Sequence, residues 1–185
     1  MTTELERFIS AQNAGNPSSY QRALAELKAG RKRSHWIWFV LPQLQGLGRS
    51  AMAQRYGIHG LAEAQAYLEE PLLRQRLEEV ISVIGKQLEP PGQSLEHLMG
   101  SGLDAAKTIS CLTLFEAAGL STATALLDEL GRRCPKSQAL LAQQQSRQNS
   151  NQEIQKIPLT NQPDNKPTDR LQAPLHPTCI ESLIG

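Results

Sequence analysis

Between Pro71 and Pro90, apolar residues recur at intervals of three and four: Leu72, Leu73, Leu77, Val80, Ile81, Ile84 and Leu88. That is the period of one buried face of an α-helix. It does not fit a strand, whose side chains alternate faces at every second residue. Pro71 suits a first helical turn, where a missing N–H is no loss. Pro90-Pro91-Gly92 ends the run. A helix with such a face must bury it against other elements. The remaining patterned stretches have the same period: Leu5, Phe8, Ile9 and Gln12; then Tyr20, Ala23, Leu24 and Leu27; then Ala64, Tyr67 and Leu68; then Leu126, Leu127 and Leu130. No convincing strand and no internal repeat accompanies them. The pattern predicts an all-α, compact, multihelical single domain.

Local signals place the helix ends. Thr3 and Glu6 have capping-box spacing for a helix over residues 4–13. Asn16 is the expected cap of the next, with Pro17 at its first position, and Gly30 ends it. Ser34 is the expected cap of a short helix in the run Trp36 to Leu41, which Pro42 terminates. Ser50 caps a short helix ending at Gly57, and Ser121 caps the last clear one. A short helix is expected from Ser94 to Met99, and the next from Leu103 to Ala118, closed by Gly119.

The core-building residues stop early. None of the eight aromatic residues in the 185 follows Phe115, and three of them fall between Trp36 and Phe39. From Lys136 the chain turns to glutamine, asparagine and proline, with Pro158, Pro163, Pro167, Pro174 and Pro177 in the last stretch. Such a segment buries too little to offset the ~1–2 kcal/mol per residue that ordering costs. The expected division is a helical domain over residues 1–135 and a disordered polar tail over 136–185. A short helix near residues 139–145 extends from the domain.

Charge excludes several function classes. Lysine and arginine balance aspartate and glutamate through Pro135, and the net charge of the whole chain is +1. No basic face emerges to recruit nucleic acid or an anionic membrane. The run from Trp36 to Leu41 is far short of the ~20 residues of a membrane span. Residues 1–4 carry no basic region followed by an apolar run, so no secretory signal is expected. The three cysteines, Cys111, Cys134 and Cys179, have neither disulfide-framework nor zinc-site spacing. A cytoplasmic protein without metal or cofactor is the resulting expectation. The sequence does not indicate an oligomeric state.

Two segments carry candidate chemistry. In the first, Arg31, Lys32 and Arg33 offer N–H donors for a phosphate or carboxylate. His35 titrates near neutrality, and Trp36 and Trp38 could stack on a flat ring. The plainer alternative makes the indoles core and the basic residues a solvated loop. In the second, Asp104, Lys107 and Cys111 lie at helical spacing with Thr108 and Ser110 between. A surface ion pair explains Lys107 as well as substrate binding does, and Cys111 reads as a buried thiol. Gly46-Leu47-Gly48 lacks the Gly-Lys-Ser/Thr of a phosphate loop, and His59 and His97 each stand alone as histidines, so neither suggests a metal.

Several stretches together match one family pattern. They are Arg7-Phe8 and Ala11-Gln12; Ala23-Leu24 and Glu26-Leu27; Gly30-Arg31-Lys32, Ser34-His35-Trp36, Trp38-Phe39 and Pro42-Gln43; Gly46-Leu47-Gly48 with Ser50; and Tyr56 with Ile58. Glu63-Ala64, Tyr67-Leu68 and Pro71 continue the pattern, and Lys107, Ser110 and Thr113-Leu114-Phe115 complete it. Over roughly residues 4–130 the chain resembles domain-of-unknown-function family 1810, bacterial proteins sometimes labelled calpastatin. Nothing in the residues supports the inhibitor role that label suggests. The resemblance implies a mostly helical domain without an assigned activity. The chain departs from the pattern at Ile37, Glu70 and Cys111, where the family has Met, His and Ser.

The polar residues of that pattern fall in the two segments already singled out. They point to one small-molecule site between the Arg31–Gln43 segment and the Lys107–Phe115 helix. Its expected ligand is an anionic metabolite, phosphate- or nucleotide-like. His35 and Lys107 are the candidate catalytic residues. Arg31, Lys32, Trp36, Trp38, Gln43, Ser110 and Thr113 are the candidate ligand-binding residues. Any catalysis would be a metal-independent hydrolase or lyase reaction. The alternative is a non-enzymatic helical protein-interaction module.

Overall fold

The 3.6-residue stripes have to face one another, and a computed structural model, which describes residues 4–155, shows how they do so. Among the described residues the helices are α1 (Glu6–Asn13), α2 (Ser19–Lys28), α3 (Ile37–Val40), α4 (Ala51–Arg55), α5 (Leu61–Glu69), α6 (Pro71–Leu88), α7 (Leu95–Leu98), α8 (Gly102–Ala117), α9 (Ser121–Leu130) and α10 (Pro135–Gln155). The expected all-α, multihelical class holds. Strand-like pairing among these residues is limited to one parallel bridge between Leu44 and Ile58. There the Gln45 N–H donates to the Ile58 carbonyl and the Ile58 N–H to that of Gln43. The bridge pins the loop after α3 to the end of the α4 turn.

Two helices form the centre. The stripe of α6 buries Leu73, Leu77, Val80, Ile81 and Ile84 against α1, α2, α5 and α9. Every residue of α8 from Thr108 to Phe115 is buried, since α3, α5, α7, α9 and α10 surround it. A helix covered on all sides needs no polar face, which is why Cys111 sits at its heart. Each large apolar side chain fully buried here contributes about 1.5–3 kcal/mol. Phe8, Tyr67 and Phe115 stack in sequence, with ring centroids 5.3 and 5.1 Å apart. Gln12 is buried among them. Its amide donates to the Phe39 carbonyl at 2.9 Å, and its oxygen accepts from Arg76 at 3.1 Å. A buried amide paired in this way avoids the cost of an unsatisfied polar group.

Several caps differ from the expected ones. Ser18, not Asn16, caps α2, and it forms a capping box with Gln21. Trp36 precedes α3, because Ser34 spends its hydroxyl on Glu26. Leu120 precedes α9, and Ser121 is its first residue. Thr3 lies outside the described residues. Ser50 caps α4 as expected, accepting from the Ala53 N–H.

The largest difference lies past Pro135. The short helix expected at 139–145 is part of a helix running from Pro135 to Gln155. Pro135 fits the first turn, and glutamine is a good helix former. Ser137 and Leu141, one turn apart, are buried, and the helix packs on α8. The expected disorder over residues 156–185 lies outside the described residues. No described helix is long and apolar enough to cross a membrane.

Candidate functional site

The basic-aromatic segment is organised by Glu26 of α2. Its carboxylate accepts from the Arg33 N–H (2.8 Å), the Ser34 N–H (3.0 Å), the Ser34 hydroxyl (2.6 Å) and the Trp36 indole (2.8 Å). Burial raises the carboxyl pKa, but these four bonds outweigh it, and the value falls to about 2. Trp36 is thereby fixed as core. Just before it, the Lys32 N–H donates to the Leu98 carbonyl at 2.7 Å. Gly100 faces this crossing with φ +76°, and a Cβ there would lie 2.9 Å from the Lys32 carbonyl oxygen, so only glycine fits. The close passage aims Lys32 at Asp104, with Nζ 2.6 Å from Oδ2 and the side chain 7 % exposed.

His35 turns the other way. It is exposed and lines a cavity of 250 Å³ with Ser19 and Arg22 of α2. Arg31 is exposed to solvent. The expected meeting of His35 and Arg31 with Lys107 does not occur, because Glu26 draws the intervening chain onto α2.

Trp38 belongs to a different wall. It lines a cleft of 840 Å³ between the loop after α3, the first half of α8 and the segment entering α10. Gln43, Lys107 and Ser110 line the same cleft. Of the nine residues selected from sequence, these four come together from two distant segments. Lys107 Nζ lies 4.5 Å from the centroid of the Trp38 ring and 2.8 Å from Asp104 Oδ1. Such cation–π contacts contribute roughly 0.5–1 kcal/mol. Burial pushes the Asp104 pKa up, but the bonds from Lys107 and Lys32 more than reverse this and leave it below the usual carboxylate range. One carboxylate thus holds two ammonium groups, and the trio carries one net positive charge.

Sequence reasoning missed the third wall. Arg132, Arg133, Cys134 and Lys136 line the cleft there, while Arg49 adds charge from the loop after α3 and Glu96 also lines it. Arg132 is paired with Glu96 at 2.8 Å. Arg133 grips both oxygens of Glu116 and also reaches Asp128 at 2.6 Å. Among the described residues neither Arg49 nor Lys136 has an acidic partner within 4.0 Å. Thr113 does not line the cleft. Its hydroxyl donates to the Ile109 carbonyl at 2.8 Å and accepts the Cys134 N–H at 2.9 Å. Ser110, one turn earlier, donates to the Cys134 sulfur at 3.2 Å. The available signal was Cys134-Pro135-Lys136-Ser137, a polar residue before proline and another three positions on, which is the spacing of a helix start.

Cys111 is inert by placement, since complete burial pushes its thiol well up. His59 is not isolated in space: with Glu4 and Glu63 it forms a cluster of potential metal ligands. Glu63 is already committed there to Arg7 at 2.6 Å and to the His59 N–H and Nδ1 at 2.8 Å. Both oxygens of Glu63 are therefore hydrogen-bonded within the protein.

A helical domain built round a buried α8, with an arginine- and lysine-rimmed cleft at its N-terminal half, defines the class of protein. The chain belongs to the family described as protein of unknown function (DUF1810), whose model matches residues 2–151. It is similar to the conserved hypothetical protein Rv1873 from Mycobacterium tuberculosis, known from a crystal structure. The two are 42% identical, the match covers 77% of this chain and 99% of that one, and the TM-score is 0.68. No curated protein matches the chain.

Proposed function

We propose that the cleft binds a small anionic metabolite, phosphate- or nucleotide-like, whose planar ring, in the nucleotide case, lies against Trp38. The observation that carries this reading is the convergence of Trp38, Gln43, Lys107 and Ser110 in one 840 Å³ space. That volume lies in the usual range for small-ligand sites. An anion beside Lys107 would also lie beside the indole, and Arg49 and Lys136 would add charge from the rim. Gln43 offers both donor and acceptor to a heterocycle edge. The alternative of a helical docking module has less support. Leu103, 69% exposed, is the one large exposed hydrophobic residue among the described ones, whereas docking faces present contiguous apolar patches of several hundred Å².

Tryptophan fluorescence tests the reading. Titration with adenine nucleotides and sugar phosphates should perturb emission in the wild type and leave Trp38→Phe silent, since Trp36 is core. Lys107→Ala should weaken binding about tenfold, the loss of one charge-assisted contact. His35→Ala should bind as the wild type does. Silence of the wild type at millimolar ligand, or loss of binding in His35→Ala with Lys107→Ala unaffected, would overturn it.

A further inference from the structure

Cys134 stands where α10 begins. Its carbonyl accepts from the Gln138 N–H at 3.1 Å, so it is the residue that caps the helix, and Pro135 follows at the first helical position. The sulfur stands at the cap position, where the N–H groups of the first turn, those of Lys136 and Ser137 among them, lack intrahelical partners. Ser110 donates to the sulfur from α8 at 3.2 Å. The same Ser110 oxygen lies 3.0 Å from the Ala106 carbonyl. A hydroxyl has one proton, so it serves the carbonyl while the sulfur is a thiol and turns to the sulfur once it is a thiolate. Beside the sulfur is the Ser137 hydroxyl, which is fully buried and has no well-formed hydrogen bond among the described residues. A buried hydroxyl without a partner is costly, and a thiolate at Cys134 would satisfy it.

Burial acts to raise the thiol pKa. The Ser110 and Ser137 hydroxyls and the N–H groups of the first turn favour the thiolate more than burial opposes it and bring the thiol below its ordinary value. The helix N-terminus adds partial positive charge in the same sense. Cys134 also lines the 840 Å³ cleft, together with Arg49, Lys107, Lys136 and the Arg132-paired Glu96. Cys111, by contrast, is sealed within α8.

We propose that Cys134 is a nucleophilic thiol and that the cleft presents it to an anionic low-molecular-weight disulfide, forming a mixed disulfide. The Cys134 thiolate attacks one sulfur of the incoming disulfide. A bond forms between Sγ and that sulfur, the incoming S–S bond breaks, and its electron pair leaves on the second sulfur as a thiolate. Cys134 is oxidised, the departing half is reduced, and no further oxidant is needed. The nucleophile stands on the Cys134 geometry alone. The charge of its partner rests on the basic lining that also supports the metabolite reading.

Alkylation of the full chain separates the two parts, with the modified residue located by peptide mass mapping. Iodoacetamide should modify Cys134 before Cys111, with a pH midpoint below the ~8.5 of a free thiol. Ser137→Ala, and independently Ser110→Ala, should move that midpoint up. The rate ratio of iodoacetate to iodoacetamide at Cys134 should exceed that of neutral N-acetylcysteinamide by about threefold or more, and should fall in Lys107→Ala. Millimolar glutathione disulfide should leave one mixed disulfide at Cys134. A midpoint equal to the free thiol's, or no adduct with glutathione disulfide, would overturn the nucleophile. A low midpoint without charge preference would overturn the anionic partner. Neither result depends on whether nucleotides perturb Trp38.

Discussion

Replacing Glu26 by glutamine tests whether the basic-aromatic segment is framework or binding site. The carboxylate holds three N–H donors on Oε2 and the Ser34 hydroxyl on Oε1. A glutamine oxygen placed at the Oε2 position keeps three neutral bonds, and its NH₂ donates to Ser34, whose hydroxyl rotates. The geometry therefore survives and the charge does not. A carboxyl pKa drawn from 4.5 to about 2 corresponds at full strength to ~3 kcal/mol. Solvent reaches this carboxylate, and screening reduces that to about 1–2 kcal/mol. The folded pKa lies below the unfolded one, so the contribution is complete above pH 4.5 and is lost as pH falls toward 2. Urea unfolding at pH 7 should find Glu26→Gln destabilised by about 1–2 kcal/mol. Between pH 5 and 3 the wild type should lose about half of that amount more than the variant does, and the rest as pH falls toward 2. Parallel losses in the two proteins would refute the argument, because the carboxylate would then carry no charge-dependent role.

Three further perturbations follow from the packing. Leu141→Ala should cost about 2–3 kcal/mol, since its side chain is buried on the far side of the expected boundary; a change under half a kcal/mol by thermal unfolding would separate α10 from the domain. Asp104→Asn should cost about 2–4 kcal/mol at neutral pH, because it strands the buried Lys32 ammonium. The penalty should shrink as pH falls below the usual carboxylate range, where the wild-type group is protonated too. Leu103→Ser should stay within about 0.5 kcal/mol of wild type in urea unfolding, as its side chain packs on little.

The fold was legible wherever a stripe meets a breaker. The α6 stripe, the inward face of α2 and the Ser50 cap follow from local spacing alone. The errors arise where a distant residue competes. Ser34 looks like a cap until Glu26, eight residues earlier, takes its hydroxyl. Ser137 and Leu141 look like tail until α8 supplies a surface for them. The candidate site was legible by half for the same reason. Trp38, Gln43, Lys107 and Ser110 share a cleft, while Trp36, two residues from Trp38, is turned away by one carboxylate. Cys134 escaped notice because its chemistry comes from Ser110 and Thr113, which are more than twenty residues away in sequence.

Arg133 gives the cleft an unusual dependence. Its guanidinium joins Glu116 at the end of α8 to Asp128 of α9, immediately before the chain enters α10. The wall that bears Cys134 is therefore fastened by half-buried charges as well as by Thr113 and Leu141, whereas the wall that bears Trp38 rests on the apolar centre. Salt shortens the reach of exposed charges from about 10 Å at 0.1 M to about 3 Å at 1 M, yet it leaves apolar packing intact. Ionic strength and temperature should thus act on different walls, the first widening the cleft while the domain stays folded and the second ending both together.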